Sequence, residues 1–137
     1  MSRYKFFFGV LLLTSLLLTS CDYFWSIWLY NTSDKDVYIV LDFDTQDDCV
    51  SADSQRQLLE AHSDFHFSHF DYWEELIQDS VHFYFIDATK IELPSILLTK
   101  EECEKITNEM ILERQTLHRE DLAKDEYIQA VLYFPSE

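Results

Sequence analysis

Alternating apolar and polar residues mark four strands along the chain. Residues 26–30 and 37–43 are rich in β-branched and aromatic side chains, and the short polar residues 31–36 between them are typical of a turn. We therefore expect these two runs to pair as a hairpin. Residues 81–86 form an aromatic run that favours a strand. Tyr127–Phe134 alternates well enough for a closing strand.

Spacings of three and four between apolar residues predict two or three short helices. One covers residues 71–79. A second begins after Thr99, because Thr99 and Glu102 have the spacing of a capping box. Its apolar face holds four residues: Cys103, Ile106, Met110 and Ile111. A third covers residues 118–124, and residues 58–69 fit either a helix or a strand. The predicted fold class is α+β: a small antiparallel β-sheet or sandwich with two or three short helices.

An apolar run of 13 residues, 6–18, follows the basic residues Arg3 and Lys5. The run is shorter than the roughly 20 residues that span a bilayer, so it predicts a cleaved signal peptide. It ends in Leu18-Thr19-Ser20-Cys21, which resembles the lipobox of bacterial lipoproteins. This resemblance implies that the sulfur of Cys21 receives a diacylglyceryl group before cleavage on its N-terminal side.

The chain divides into a signal peptide (1–20), a lipid anchor with a short tether (21–25) and one globular domain (26–137). Lipidation at Cys21 predicts a protein of the cell envelope, anchored to a membrane outside the cytoplasm. We expect the outer membrane and leave the leaflet open.

The charge is strongly acidic, with 26 Asp and Glu against 10 Lys and Arg and a net charge of -16. Without residues 1–20, which hold two basic residues and no acid, the mature chain has a net charge of -18. Such a chain lacks the basic surface of a general nucleic-acid binder. Its single glycine, Gly9, lies in the signal peptide, so no P-loop, dinucleotide fingerprint or nucleophile elbow is available.

Two clusters are candidates for metal binding. Five aspartates within twelve residues could wrap a calcium ion: Asp42, Asp44, Asp47, Asp48 and Asp53. The turn position of a calcium loop would be Asp47 instead of glycine, so a solvated acidic loop is the favoured interpretation. Three histidines could bind zinc if they lay on a helix: His62, His66 and His69. The alternating phenylalanines around them favour a strand, so no metal site or other cofactor is assigned.

Cys49 and Cys103 are the thiols that lipidation leaves. An even pair outside the cytoplasm is compatible with a disulfide, whereas the position of Cys103 on an apolar face favours a free thiol. Both possibilities stay open. No histidine or basic cluster adjoins either cysteine in sequence, and no catalytic residue is assigned.

A further resemblance lies in residues 81–135. An aromatic run, 82–87, ends in an aspartate; residues 112–122 contain a Leu-x-x-x-Asp-Leu pattern; and Tyr133-Phe134-Pro135 closes the last strand. Together with the lipobox, these features resemble a family of uncharacterised small lipoproteins of Bacteroidota. The family implies a location and a general shape, and no activity.

The sequence thus predicts a membrane-anchored, non-catalytic binding or envelope-assembly module. Its acidic surface favours a basic protein partner. The alternatives are a metal- or ligand-binding lipoprotein and an immunity-type inhibitor of a basic partner.

Overall fold

The structure is a computed structural model that describes residues 24–43, 50–70, 80–118, 120 and 127–136. Within these residues, seven β-strands form two sheets with the orders β4-β1-β7 and β3-β2-β5-β6. β1 pairs antiparallel with β4 and parallel with β7, and the four-stranded sheet is antiparallel throughout. The strands are β1 Phe24–Asn31, β2 Val37–Asp42, β3 Gln55–Leu59, β4 Asp64–Phe70, β5 Ser80–Asp87, β6 Ile111–His118 and β7 Tyr127–Phe134. None of the described helices is long and apolar enough to cross a membrane.

The main core lies between the two sheets. Successive side chains of a strand point to opposite faces, so alternate residues of β1 enter this core. Phe85 of β5 stacks on Phe134 of β7, with ring centroids 4.9 Å apart, and so joins the two sheets. The buried members are Ile27, Leu29, Val37, Ile39, Leu41, Leu59, Val81, Phe83, Phe85 and Phe134.

A second core covers the other face of the four-stranded sheet. Val40, Tyr84 and Ile86 pack there against Leu93 and Leu98 from the segment that follows β5. The four-stranded sheet is therefore buried on both faces, which explains why nearly every residue of β5 is buried. The three-stranded sheet has one face in the main core, and its other face carries the surface described below.

The capping box at Thr99 is confirmed. The Thr99 hydroxyl accepts a hydrogen bond from the Glu102 N–H, and the Glu102 carboxylate accepts one from the Thr99 N–H at 2.8 Å. The Ser95 N–H donates to the same carboxylate at 3.1 Å. The backbone hydrogen bond from Thr99, more than the one from Ser95, lowers the pKa of Glu102. The helix that follows, α1, spans Lys100–Lys105.

The predicted α+β class is wrong, because the described residues are mostly β-sheet. α1 ends at its C-cap, Ile106, and β6 begins at Ile111. Four residues suggested one helical face: Cys103, Ile106, Met110 and Ile111. They do lie together at the second core, but they come from a helix, a turn and a strand. Of the other predicted helices, 71–79 lies outside the described residues. Residue 118 of the segment 118–124 ends β6, and the rest lies outside apart from residue 120.

The predicted strands at 81–86 and Tyr127–Phe134 are confirmed. The turn at 31–36 is also present, but the predicted hairpin is wrong because β1 and β2 belong to different sheets. The turn therefore carries the chain across the sandwich.

Asn31, at the end of β1, stabilises this crossing. Its side chain is buried, and its Nδ2 donates to the carbonyls of Lys35 at 2.7 Å, Glu60 at 3.1 Å and Leu59 at 3.3 Å. Its Oδ1 accepts hydrogen bonds from the N–H and the hydroxyl of Ser33. One amide thus holds the crossing turn and the end of β3 in the four-stranded sheet against β1 in the other sheet.

We predict that Asn31→Ala lowers the free energy of unfolding by about 2–3 kcal/mol, because buried carbonyls then lose their donor. Urea unfolding of the mature protein measures this loss. Ser33→Ala is the matched control and should cost about 1 kcal/mol or less, since it leaves the Nδ2 bonds intact. Equal losses for the two variants would contradict the role of Asn31.

Candidate interaction surface

The outer face of the three-stranded sheet carries a row of stacked rings, which we call the aromatic ladder: Trp28, Tyr30, His66 and Tyr133. The His66 ring stacks on Trp28 with centroids 4.1 Å apart and an interplanar angle of 15°. Tyr30 stacks on Tyr133 at 5.3 Å and 20°, and the Trp28 and Tyr30 centroids are 6.4 Å apart. The ladder thus takes rings from all three strands.

The strand register produces this arrangement. Ile27 and Leu29 point into the main core, so Trp28 and Tyr30 between them point outward. Trp28 is in register with His66 of β4, and Tyr30 with Tyr133 of β7. Side chains at directly opposed positions lie about 4.5–5.5 Å apart, which is close enough for rings to stack.

The ladder is accessible to solvent. Tyr133 is 50% exposed, Val131 beside it is 47% exposed and His66 is exposed, while Trp28 and Tyr30 are half-buried. Tyr and Trp join a large apolar body to a polar tip and are enriched in the centres of protein interfaces. This face therefore has the chemistry of a binding surface.

The predicted strand at 26–30 contains Trp28 and Tyr30, but the sequence did not predict the ladder. The alternation of Ile27 and Leu29 with Trp28 and Tyr30 was a usable signal for an outward aromatic pair. The rings that complete the ladder come from β4 and β7, and the chain order alone does not indicate that these strands flank β1.

The aspartate cluster does not form a calcium loop from its described members. Asp42 is buried in β2, and its two carboxylate oxygens accept hydrogen bonds from the Ser51 N–H at 3.0 Å and the Ser51 hydroxyl at 2.9 Å. Asp53 has a positive φ of 70° in a turn, and its N–H donates to the Leu98 carbonyl. Asp44, Asp47 and Asp48 lie outside the described residues. Asp42 thus holds the chain that leads into β3.

The three histidines do not lie on one helix: His62 lies before β4, and His66 and His69 lie within it. His62 precedes β4 with φ 56°, and its Nε2 lies 2.6 Å from the Asp34 carboxylate. His66 stacks on Trp28, and His69 pairs with Trp25 in the register, where its side chain is not described. No group of three potential metal-ligating side chains occurs within the described part of the chain.

Cys103 is a half-buried free thiol in the second core. Its Sγ donates to the Ser51 carbonyl at 2.9 Å. Burial, and then the nearby carboxylates of Asp42 and Glu102, raise the pKa of the Cys103 thiol. Cys49, its proposed disulfide partner, lies outside the described residues, and so does the predicted lipidation site Cys21.

Comparisons of the chain with protein-family models, curated proteins and solved structures gave no match. The resemblance to Bacteroidota lipoproteins therefore stays a prediction.

We predict that iodoacetamide at pH 8 alkylates Cys103 at least about tenfold more slowly in the folded protein than in urea, because a raised pKa keeps the thiol protonated. Mass spectrometry of a Cys49→Ser variant measures this rate for Cys103 alone. The rate for the folded protein should continue to rise with pH beyond the range in which the rate for the unfolded thiol levels off. Equal rates in the folded and unfolded protein would contradict the protection.

The same labelling decides the disulfide question in the wild-type protein. A free Cys103 is labelled slowly with or without a reductant. A disulfide to Cys49 would instead block labelling until a reductant is added.

Proposed function

We propose that this protein is a lipoprotein, held to a membrane through Cys21, that works as a non-catalytic module for binding a basic protein partner. The observation that carries the binding role is the aromatic ladder, an accessible row of rings in a strongly acidic chain. The lipobox-like sequence before Cys21 supports the anchor. No observation on the described residues favours the metal-binding alternative.

β1 leads from the proposed anchor to the ladder. This strand begins at Phe24, three residues after Cys21. A strand rises about 3.3 Å per residue, so Tyr30 lies about 20 Å along β1 from Phe24. β7 runs parallel to β1, which places Tyr133 at the same end of the sheet as Tyr30. This geometry supports a ladder that extends away from the membrane, where a partner can reach it.

The charge supports a basic partner. The mature chain carries -18, which attracts a positively charged surface and repels anionic lipid headgroups and other copies of itself. Rings at the centre of an interface supply affinity, while surrounding charges supply steering and specificity. The proposed complex should therefore depend on both the ladder and the salt concentration.

The first prediction from this proposal concerns the anchor. A Cys21→Ala variant lacks the sulfur that would receive the lipid, so we expect it to leave the membrane fraction. Cell fractionation with detection of the protein measures the change. Cys103→Ala is the matched control and should stay in the membrane fraction. If Cys21→Ala stays there too, the lipid anchor is wrong.

The second prediction concerns the ladder. Trp28→Ala and Tyr133→Ala each remove one ring, so both should reduce the amount of the partner captured by cross-linking in native cells by at least about tenfold. Ile96→Ala is the control, because Ile96 is 74% exposed and lies outside the ladder. The same partner should be captured by the wild type and by Ile96→Ala, and released as salt is raised.

Tyr133 is included because it is more exposed than Trp28, so its replacement disturbs the core less. Circular dichroism of each variant shows whether its fold is retained. Equal capture by all four proteins, or capture of no stoichiometric partner by the wild type, would defeat the binding role.

A further inference from the structure

The four edge strands of the sandwich differ in how they are protected from pairing. Natural proteins guard edge strands with charged side chains or with covering chain segments. β3 contains Arg56 and is bridged by Leu97; β4 begins with Asp64; β6 contains Glu113 and Arg114. β7, Tyr-Ile-Gln-Ala-Val-Leu-Tyr-Phe, is the one described edge strand without an acidic or basic residue. Although the chain is acidic, β7 thus lacks the charged side chains that usually protect an edge strand from pairing.

The hydrogen bonds show which backbone groups of β7 face outward. The Phe134 carbonyl accepts from the Thr32 N–H at 2.8 Å, on the side of β1. The preceding carbonyl, of Tyr133, points the other way and accepts from the Gln115 side chain at 2.7 Å. Because backbone direction alternates along a strand, the N–H and C=O groups of Gln129 and Val131 also face away from β1. Val131 is in register with Trp28 of β1, and no backbone hydrogen bond from another described element reaches its outward side.

Side chains of β6 cover only the end of β7. Gln115 reaches the Tyr133 carbonyl, and Glu113 accepts from the Ser136 N–H at 3.1 Å. A groove of about 490 Å³ lies beside this end of the strand. It combines exposed apolar side chains with a polar rim, and its lining is Thr32, Gln115, Val131, Leu132, Tyr133, Pro135 and Ser136.

We propose that the outward edge of β7 pairs with an extended segment of the basic partner, which adds a fourth strand to the three-stranded sheet. A strand added there would lie about 4.8 Å from β7 and would bond to the backbone of Gln129 and Val131. This inference rests on the proposed binding role and specifies how the partner is held. Charge favours a basic segment over a second copy, because two copies would each carry -18.

The test uses the mature, lipidated protein in nanodiscs of neutral lipid. The probe is an eight-residue peptide of alternating Thr and Val with a lysine at each end. NMR hydrogen exchange follows individual amides as the peptide is added. We expect the amides of Gln129 and Val131 to exchange at least tenfold more slowly with saturating peptide, and those of Ala130 and Leu132, which already bond to β1, to stay unchanged.

Two controls isolate backbone pairing. The same peptide with N-methyl groups on alternate residues cannot pair and should protect no amide. Val131→Pro removes the outward N–H, so it should weaken peptide binding at least tenfold. The variant should still fold, because proline is tolerated where an edge N–H faces solvent. Val131→Thr keeps that N–H and should bind within twofold of the wild type. The N-methylated peptide decides the question on the wild-type protein if Val131→Pro does not fold.

Three results would overturn the inference. The peptide can fail to slow hydrogen exchange of the Val131 amide, or the N-methylated peptide can slow this exchange as much as the unmodified one. The Val131 amide can be protected without peptide and increasingly so with protein concentration, which means that copies of the chain pair with one another. It can also be protected at every concentration, which means that the chain covers its own edge.

Capture from cells separates this inference from the binding role. If Trp28→Ala loses the partner and Val131→Pro retains it, the binding role holds and the edge pairing is wrong. If all ladder and edge variants capture equally, the binding role itself is wrong.

Discussion

The buried amide of Asn31 is the constraint from which the rest of the structure follows. It lies where the chain leaves one sheet for the other, and it donates to carbonyls in the crossing turn and just after β3. Side chains two residues apart along a strand point to the same face. Ile27 and Leu29 therefore point into the core together with Asn31. Trp28 and Tyr30, at the alternate positions, point to the outer face of the sheet. The direction of one polar side chain thus determines which face of β1 becomes the aromatic ladder.

The two sheets differ in how their faces are covered. The four-stranded sheet is covered on both faces. In its second cover, the Glu102 carboxylate accepts hydrogen bonds from the Ser95 and Thr99 N–H groups, and Cys103 packs against the second core. A sheet enclosed in this way offers little surface for recognition. The three-stranded sheet has one face in the core, and its other face carries the aromatic ladder. The raised pKa of Cys103 fits a packing residue and not a nucleophile.

Local features of the fold were predictable from the sequence, and pairings between distant segments were not. The capping box of Thr99 and the strand at Tyr127–Phe134 depend on residues close in the chain. The hairpin was wrong because the turn after Asn31 looks the same in sequence whether it joins strands of one sheet or of two. The helix after Thr99 was predicted to extend too far, because Cys103 and Ile111 pack at one site from different elements. The ladder needed the register of β1 with β4 and β7, which no local pattern contains.

The parallel pairing of β1 with β7 joins the first strand of the domain to the last, about a hundred residues away in the chain. Contacts of such long range carry a cost in chain entropy, because the intervening chain must be closed into a loop. Tyr133 and the outward edge of the three-stranded sheet both belong to β7, so a chain synthesised only as far as β6 would have neither. The aromatic ladder can therefore be complete only on a chain that has been made through to Phe134. Incomplete chains would therefore lack both features on which the proposed binding depends.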